Sequence, residues 1–344
     1  MPTLWFILVA FMLTMYVLLD GFDLGAGVIH LAAAKTDAER RTIIRAIGPV
    51  WDGNEVWLIA AGGTLFFTFP LLYASSFSGF YLPLFIVLWL LMVRGVSIEL
   101  RSHFANPVWR SFWDGLFFIG SALLPVFYGA ALANVVRGVP LDKTGFFFEP
   151  LWTDFRPNTP SPGILDWYTV LIGLLALSTL AAHGANFIAL KTEGTVNARA
   201  RRISWRAWLA TVVLTAGGTI ATFGLEPQRL AGFHARPWGY VFPALALAGL
   251  AGMGYYTARQ REMAAFLSSS TYIVGMLAGT AFSLYPDVLP AVTPANSLTI
   301  HNAAASHYGL VVGLVWWLIG MALAALYFIL TYRLFRGKVR IEGT

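Results

Sequence analysis

Asp20-Gly-Phe-Asp23-Leu-Gly-Ala-Gly27 and Trp51-Asp52-Gly-Asn54-Glu55-Val-Trp57 place four carboxylates inside two long apolar runs. An ionisable group in hydrocarbon costs roughly 2.5–3.5 kcal/mol on insertion scales, so four acids in adjacent segments require partners or a function. Whether these runs are membrane spans decides both the fold and the chemistry.

Composition settles the class. Of the 344 residues 58% are hydrophobic and 12% charged, against about 25% charged in soluble domains. The chain is read as an all-α polytopic membrane protein. It has no cysteine, which excludes disulfides, thiolate metal ligands, iron–sulfur clusters and thioether-linked haem. A formal charge of +6 would suggest nucleic acid in a soluble protein, but in a membrane protein charge is counted loop by loop. Nothing supplies a nucleotide-binding loop, a nucleophilic triad or a phosphate cradle.

Apolar runs of about 20 residues or more mark spans. They predict nine transmembrane helices, over 4–34, 44–74, 79–100, 113–136, 164–190, 207–225, 239–257, 263–285 and 308–332. The first has no charged leader and no small-residue cleavage site, and it carries Asp20 and Asp23, so it is expected to be a retained helix and not a signal peptide. The expected division is a four-helix bundle over 1–136, a Pro-rich outer loop over 137–163, a second four-helix bundle over 164–285, an outer loop over 286–307, and a ninth helix with a basic cytoplasmic tail over 308–344. No residue-level repeat relates the two halves, so this division rests on hydropathy.

Most of the 23 basic residues fall in alternate loops: Lys35, Arg40, Arg41 and Arg45; Arg101 and Arg110; Lys191, Arg199, Arg201, Arg202 and Arg206; Arg259 and Arg261; Arg333, Arg336, Lys338 and Arg340. The positive-inside rule makes these loops and the C-terminus cytoplasmic and the N-terminus external. The outer loops then carry Pro140, Pro150, Pro157, Pro160 and Pro162, with Phe146, Phe147, Phe148, Trp152, Phe155, Trp167 and Tyr168 nearby. These aromatics are read as a headgroup-level belt in preference to a ligand site.

At about 1.5 Å per residue, Asp20 and Asp23 lie roughly 24–28 Å in from the outer face, and Asp52 and Glu55 about 12–17 Å from the inner one. Both pairs meet on the cytoplasmic side of the midplane or close to it. Each pair is three residues apart and shares a helix face. Gly21, Gly25, Gly27, Gly53, Gly62 and Gly63 would allow close helix approach that excludes lipid. Arg94 and Glu99, near the inner end of the third span, are candidates for the same network.

Two roles fit such a cluster. Like charges this close cannot all ionise in a low dielectric, so a chain of protonatable groups opening inward makes a proton path. Alternatively, Asp20 or Asp23 pairs with Arg94 and Asn54 and locks the helices. Asp52 is assigned to transport with Glu55, because flanking Trp51 and Trp57 imply an enclosed place. Asp20 and Asp23 lean towards structure. His183 is read as a hydrogen-bonded packing residue ahead of a haem ligand or relay. His30 is placed near water or headgroups, and the spacing of His301 and His307 defines no metal site.

The runs already quoted, extended to Gly48-Pro-Val-Trp51-Asp52-Gly-Asn54-Glu55-Val-Trp57-Leu, resemble signature segments of subunit II of the cytochrome bd quinol oxidases. So do Phe77-Ser-Gly-Phe-Tyr81, Arg94-Gly-Val-Ser-Ile-Glu99-Leu-Arg101 and Asn296-Ser-Leu-Thr-Ile-His301-Asn302. The similarity spans nearly the whole chain and is strongest over its first hundred residues. It implies a haem-free, nine-helix subunit of a bacterial cytoplasmic-membrane quinol:O2 oxidoreductase, not catalytic alone. Its partner, subunit I, would carry two b-type haems, the d-type haem and the quinol site. The resemblance also implies a cytoplasmic proton route through an aspartate that falls on Asp52, and so a proton-motive force without a separate pump. Some members hold a structural quinone, and a small single-helix accessory subunit is a further implied partner. Glu55 stands where some members have glutamine, and His301 and Asn302 also depart from some members. The rival readings are a stand-alone H+-coupled transporter, which predicts discontinuous helices around a midplane site, and a purely structural scaffold.

Overall fold

The computed structural model describes residues 1–339; residues 340–344, the end of the basic tail, lie outside the described residues. Helix α1 (Pro2–Ala33) opens on a proline in its first turn, where no intrahelical N–H is needed, and runs apolar for 32 residues. The short amphipathic α2 (Asp37–Ile47) is closed by a capping box. Glu39 N–H donates to Thr36 Oγ1 at 3.3 Å and Thr36 N–H to Glu39 Oε2 at 3.1 Å.

The span expected over 44–74 is not one helix. Gly48 to Val50 separate α2 from α3 (Trp51–Thr68), and Phe69 separates α3 from α4 (Pro70–Gly79). Pro49 lacks the N–H that would continue α2, although Gly48 before it stays helical, and Pro70 disfavours helical backbone in the residue before it. Phe69 accordingly sits at φ −133°, ψ 67°.

There follow α5 (Tyr81–Leu100), α6 (Pro107–Arg137), α7 (Trp167–Lys191), α8 (Gly194–Leu225), α9 (Pro227–Ala235), α10 (Val241–Ala258), α11 (Glu262–Leu284) and α12 (His307–Leu334). The sixth expected span starts much earlier than residue 207. The Ala- and Arg-rich stretch from Asn197 to Arg206 continues the helix outward, and the supposed loop over 191–206 shrinks to a tight turn. Hydropathy counts arginine as loop, whereas its helix propensity is high.

Among the described residues eight helices are long and apolar enough to cross a membrane: α1, α5, α6, α7, α8, α10 with the turn before it, α11 and α12. The chain is a multi-pass α-helical membrane protein. Asp52, Asn54 and Glu55 crowd the first turns of the 18-residue α3, which is not among the eight.

Helix α1 is the hub and packs against α3, α6, α7 and α11. Its approach to α7 is backbone on backbone. A Cβ on Gly25 would lie 1.9 Å from Leu180 O, and one on Gly184 would lie 2.3 Å from Gly25 C, so only glycine fits this crossing. Around the hub, α5 packs on α6, α7 on α8, and α10 on α11. Helix α12 is peripheral, with Leu310 its one buried residue among those described. Trp317 Nε1–H donates to Met12 Sδ at 3.2 Å and Tyr332 Oη–H to Asn54 Oδ1 at 3.0 Å, which seats it along α1 and α3.

The two long connecting segments, after α6 and after α11, interlock. Strands β1 (Asp287–Leu289) and β2 (Leu298–Thr299) pair antiparallel, and Val139 bridges to Ala291. Asn296 Nδ2–H donates to Leu141 O at 2.8 Å. Val139, Leu141, Phe147, Ile164, Leu289, Leu298 and Ile300 form a small core beneath. The aromatic belt therefore divides: Phe146, Phe148, Trp152, Phe155 and Trp167 are exposed, whereas Phe147 and Tyr168 are buried. Phe147 lies against Gly79, where a Cβ would sit 2.2 Å from its ring.

Candidate functional site

Helix α1 delivers Asp20 and Asp23 to one face, α3 delivers Asn54 and Glu55, and α5 delivers Arg94. Asp20, Asp23, Asn54 and Arg94 are fully buried. The Arg94 guanidinium forks onto Asp20, with Nη1–H to Oδ2 at 2.9 Å and Nη2–H to Oδ1 at 2.5 Å. This two-point geometry suits arginine and carboxylate, and it is what makes a buried charge tolerable. Glu55 Oε2 lies 3.7 Å from Arg94 Nη1, and its side chain stays 22% exposed. Asp23 Oδ2 accepts from Asn54 Nδ2–H at 2.7 Å, while Asp23 Oδ1 and Arg94 Nε have no hydrogen-bond partner among the described residues. Asn54 passes the contact on to Tyr332. That tyrosine lines a cavity of about 130 Å³, together with Pro49, Val50, Phe187 and Lys191.

Two candidates sit elsewhere than expected. Asp52 is exposed on the surface of the chain, not enclosed by tryptophans. Trp57 is buried against Phe11 and Phe328, and Trp51 lies over Gly95. At about 100° per residue, positions 51, 52 and 57 point in three different directions. Glu99 is also exposed and makes no hydrogen bond or ion pair among the described residues. Five residues from Arg94, it points to another side of α5. Of the glycines, Gly25 and Gly27 do meet neighbouring helices, whereas Gly62 and Gly63 face open space.

A second buried ionic centre was not foreseen. Asp114 of α6 accepts from His30 Nε2 at 2.6 Å, Arg101 Nε at 2.6 Å and Arg40 Nη1 at 2.9 Å. Asp37 holds Arg101 at 2.8 Å and Arg110 at 2.9 Å. His30 is therefore fully buried and does not meet water or headgroups. The available signal was Asp114 itself, an acid just inside the span predicted from residue 113. Beside this centre Glu39 binds Arg199 at 2.8 Å and Thr195 at 2.6 Å. Against the burial that would raise it, these contacts and the N–H groups of Lys35 and Thr36 hold its carboxyl down at about 2.

His183 is not free to ligate a haem. Both nitrogens of His183 are engaged, Nδ1 with Ser269 Oγ at 2.7 Å and Nε2 with Leu18 O at 3.0 Å, and its ring stacks on Phe266. His301 and His307 are exposed. Among the described residues no group of three His, Cys, Asp or Glu is arranged to hold a metal ion.

What remains is a buried ion pair approached by acids from the surface of α3. The family described as cytochrome bd terminal oxidase subunit II matches residues 1–335. This chain belongs to that family. The subunit II chain is 32% identical over 339 residues to the cytochrome bd-I ubiquinol oxidase subunit 2 of Escherichia coli strain K12, covering 88% of this chain and 86% of that relative. It is 30% identical over 310 residues to the cytochrome bd ubiquinol oxidase subunit 2 of Bacillus subtilis strain 168, covering 89% and 87%. A probable cytochrome oxidase subunit 2 of Haemophilus influenzae is 31% identical over 371 residues, covering 98% and 94%. A chain of the solved bd oxidase from Geobacillus thermodenitrificans shares the fold, with a TM-score of 0.73 at 19% identity, covering 97% of this chain and 98% of that one.

Proposed function

We propose that this chain is the haem-free membrane subunit of a quinol:O2 oxidoreductase in a bacterial cytoplasmic membrane, with its N-terminus outside and its C-terminus cytoplasmic. Haems b and d on subunit I would carry electrons from quinol to oxygen. This chain stabilises that subunit and delivers protons from the cytoplasm. With α3 and α4 as one interrupted crossing, nine crossings fall into two sets of four, the set of α1, α3, α5 and α6 and the set of α7, α8, α10 and α11, with α12 outside them.

A gradient of burial along the acids carries the reading. Asp52 is exposed at the cytoplasmic start of α3, Glu55 is 22% exposed one turn deeper, and Asp20 and Arg94 are fully buried. Asp52 takes up a proton at its carboxylate and Glu55 receives it beside Arg94. The Arg94–Asp20 pair holds a fixed geometry at the inner end of this route. An acid exposed on a membrane helix needs protein over it. Asp52, Val56, Ile59, Gly63 and Phe66 form one exposed stripe at steps of four and three, the spacing that seats a facing helix. Subunit I covers that stripe.

The test is Asp52→Asn in the purified complex, followed by quinol-driven O2 uptake and a reduced-minus-oxidised spectrum. Uptake falls by about 10²–10⁴, the range of a lost proton-transfer group, with haem content unchanged. Haem lost together with uptake would make Asp52 structural. A wild-type chain that purifies without haem from oxidase-expressing cells would overturn the subunit reading in favour of a transporter.

A further inference from the structure

At neighbouring ends of α8 and α10, Arg201, Arg202 and Arg206 surround an open groove of about 500 Å³, lined also by Trp205, Thr257 and Gln260. No lining residue is acidic. Several other arginines at this end are paired: Arg40 and Arg101 with Asp114, Arg110 with Asp37, and Arg199 with Glu39. Among the described residues the three groove arginines make no hydrogen bond and no ion pair, so the groove holds three uncompensated positive charges. Thr257 adds a second observation. It is more than nine-tenths buried, and its hydroxyl has no hydrogen-bond partner among the described residues.

The groove continues into an apolar track. Arg202, Arg206, Leu209 and Val213 follow one another at steps of four, three and four along one exposed stripe of α8, with Leu209 46% and Val213 69% exposed. Leu247 and Tyr255 are exposed on α10. Trp205 stands at the change from charged to apolar, where tryptophan sits at the membrane–water boundary. The walls are fixed to each other by Trp208, whose Nε1–H donates to Leu250 O at 2.8 Å.

We propose that this groove binds the headgroup phosphate of an anionic phospholipid, with the acyl chains lying along α8 and α10. Arginine forks match phosphate oxygens two at a time, and basic pockets between membrane helices take such headgroups. A free anion satisfies the arginines but leaves the apolar track unused. The inference rests on the chain being membrane-embedded and is independent of the proton route. The orientation proposed above makes this an inner-leaflet lipid.

The intact complex, stripped of lipid in detergent, is titrated with phosphatidylglycerol, with phosphatidylcholine of the same chains, and with inorganic phosphate. Melting temperature and native mass spectrometry are the readouts. Phosphatidylglycerol is expected to form an adduct and raise the melting temperature, whereas phosphatidylcholine and phosphate do neither. R201Q/R202Q/R206Q weakens the phosphatidylglycerol effect on the order of a hundredfold in affinity while the haem spectrum is kept. If that variant does not assemble, Thr257→Val, which adds no charge change, is expected to weaken it severalfold. Equal affinity for the two lipids, undiminished affinity in the variant that assembles, or a full shift with inorganic phosphate alone would each overturn the proposal.

Discussion

Arg94 holds Asp20 at two points inside the helix bundle, and neither charge has water to fall back on. Arg94→Met is therefore expected to cost about 3–5 kcal/mol by stranding a buried carboxylate. Adding Asp20→Asn should restore most of it, with thermal loss of the haem spectrum in the complex as the measurement. The sequence placed Arg94 and the acids in one neighbourhood, because charges in apolar runs are conspicuous. It did not tell Asp52 from Asp20 in exposure, because an evenly apolar helix carries no phase to show which side is covered. Asp114 and His30 went unmatched for a related reason: their contact joins α1 to α6, and nothing local in either helix announces it. In the connecting segment after α6, Glu149 lies 3.2 Å from Arg137, which also binds Asp166. Burial pushes the Glu149 carboxyl up to about 7; Arg137 pulls it down and the charge of Asp166 pushes it up. The folded cover thus binds more protons than the open one between the ordinary value of 4.5 and about 7. Its stability is full below that window and falls, by up to roughly 3 kcal/mol, as pH rises through it. Hydrogen exchange over 138–166, corrected for intrinsic rates, should be faster at about pH 8 than at about pH 5. Glu149→Gln should abolish the difference.

Whole helices were mostly legible, because runs of about twenty apolar residues permit little else in a bilayer. The two that were misread show the limit of hydropathy. The span over 44–74 is broken at Phe69 by a proline signal that a hydropathy window averages away. Helix α8 extends beyond its apolar part because Arg and Ala favour helix without being jointly hydrophobic. Close packing of α1 on α7 depends on Gly25 and Gly184, of which only Gly25 was singled out. Gly184→Leu must separate the two helices, since even a Cβ there would lie 2.3 Å from backbone. Overpacking of this kind costs about 1–3 kcal/mol or more, and the expected outcome is a lower yield of assembled complex by size-exclusion chromatography.

Orientation belongs to the whole molecule, and the chain offers a direct means of measuring it. It has no cysteine, so single cysteines can be introduced without clearing a background. Lys143→Cys and Glu193→Cys both fall at exposed sites. An impermeant maleimide applied to intact cells should label Lys143→Cys at once and Glu193→Cys only after permeabilisation. The reverse pattern would invert the proposed topology and with it the direction of the proton route. The expectation rests on the loop charges, because the positive-inside bias acts on loops and does not depend on how the helices pack.

The cover made by the two interlocked connecting segments also has a history in time. Val139 finds its backbone partners at Pro290 and Val292, and the Leu141 carbonyl accepts from the Asn296 side chain. These residues leave the ribosome about 150 positions apart, an interval of roughly 8–30 s at ordinary synthesis rates. For that interval the apolar underside of the first segment has emerged while its lid has yet to be translated. The cover is thus a late act of biogenesis, and until it closes the first segment depends on headgroups or a chaperone to hold it.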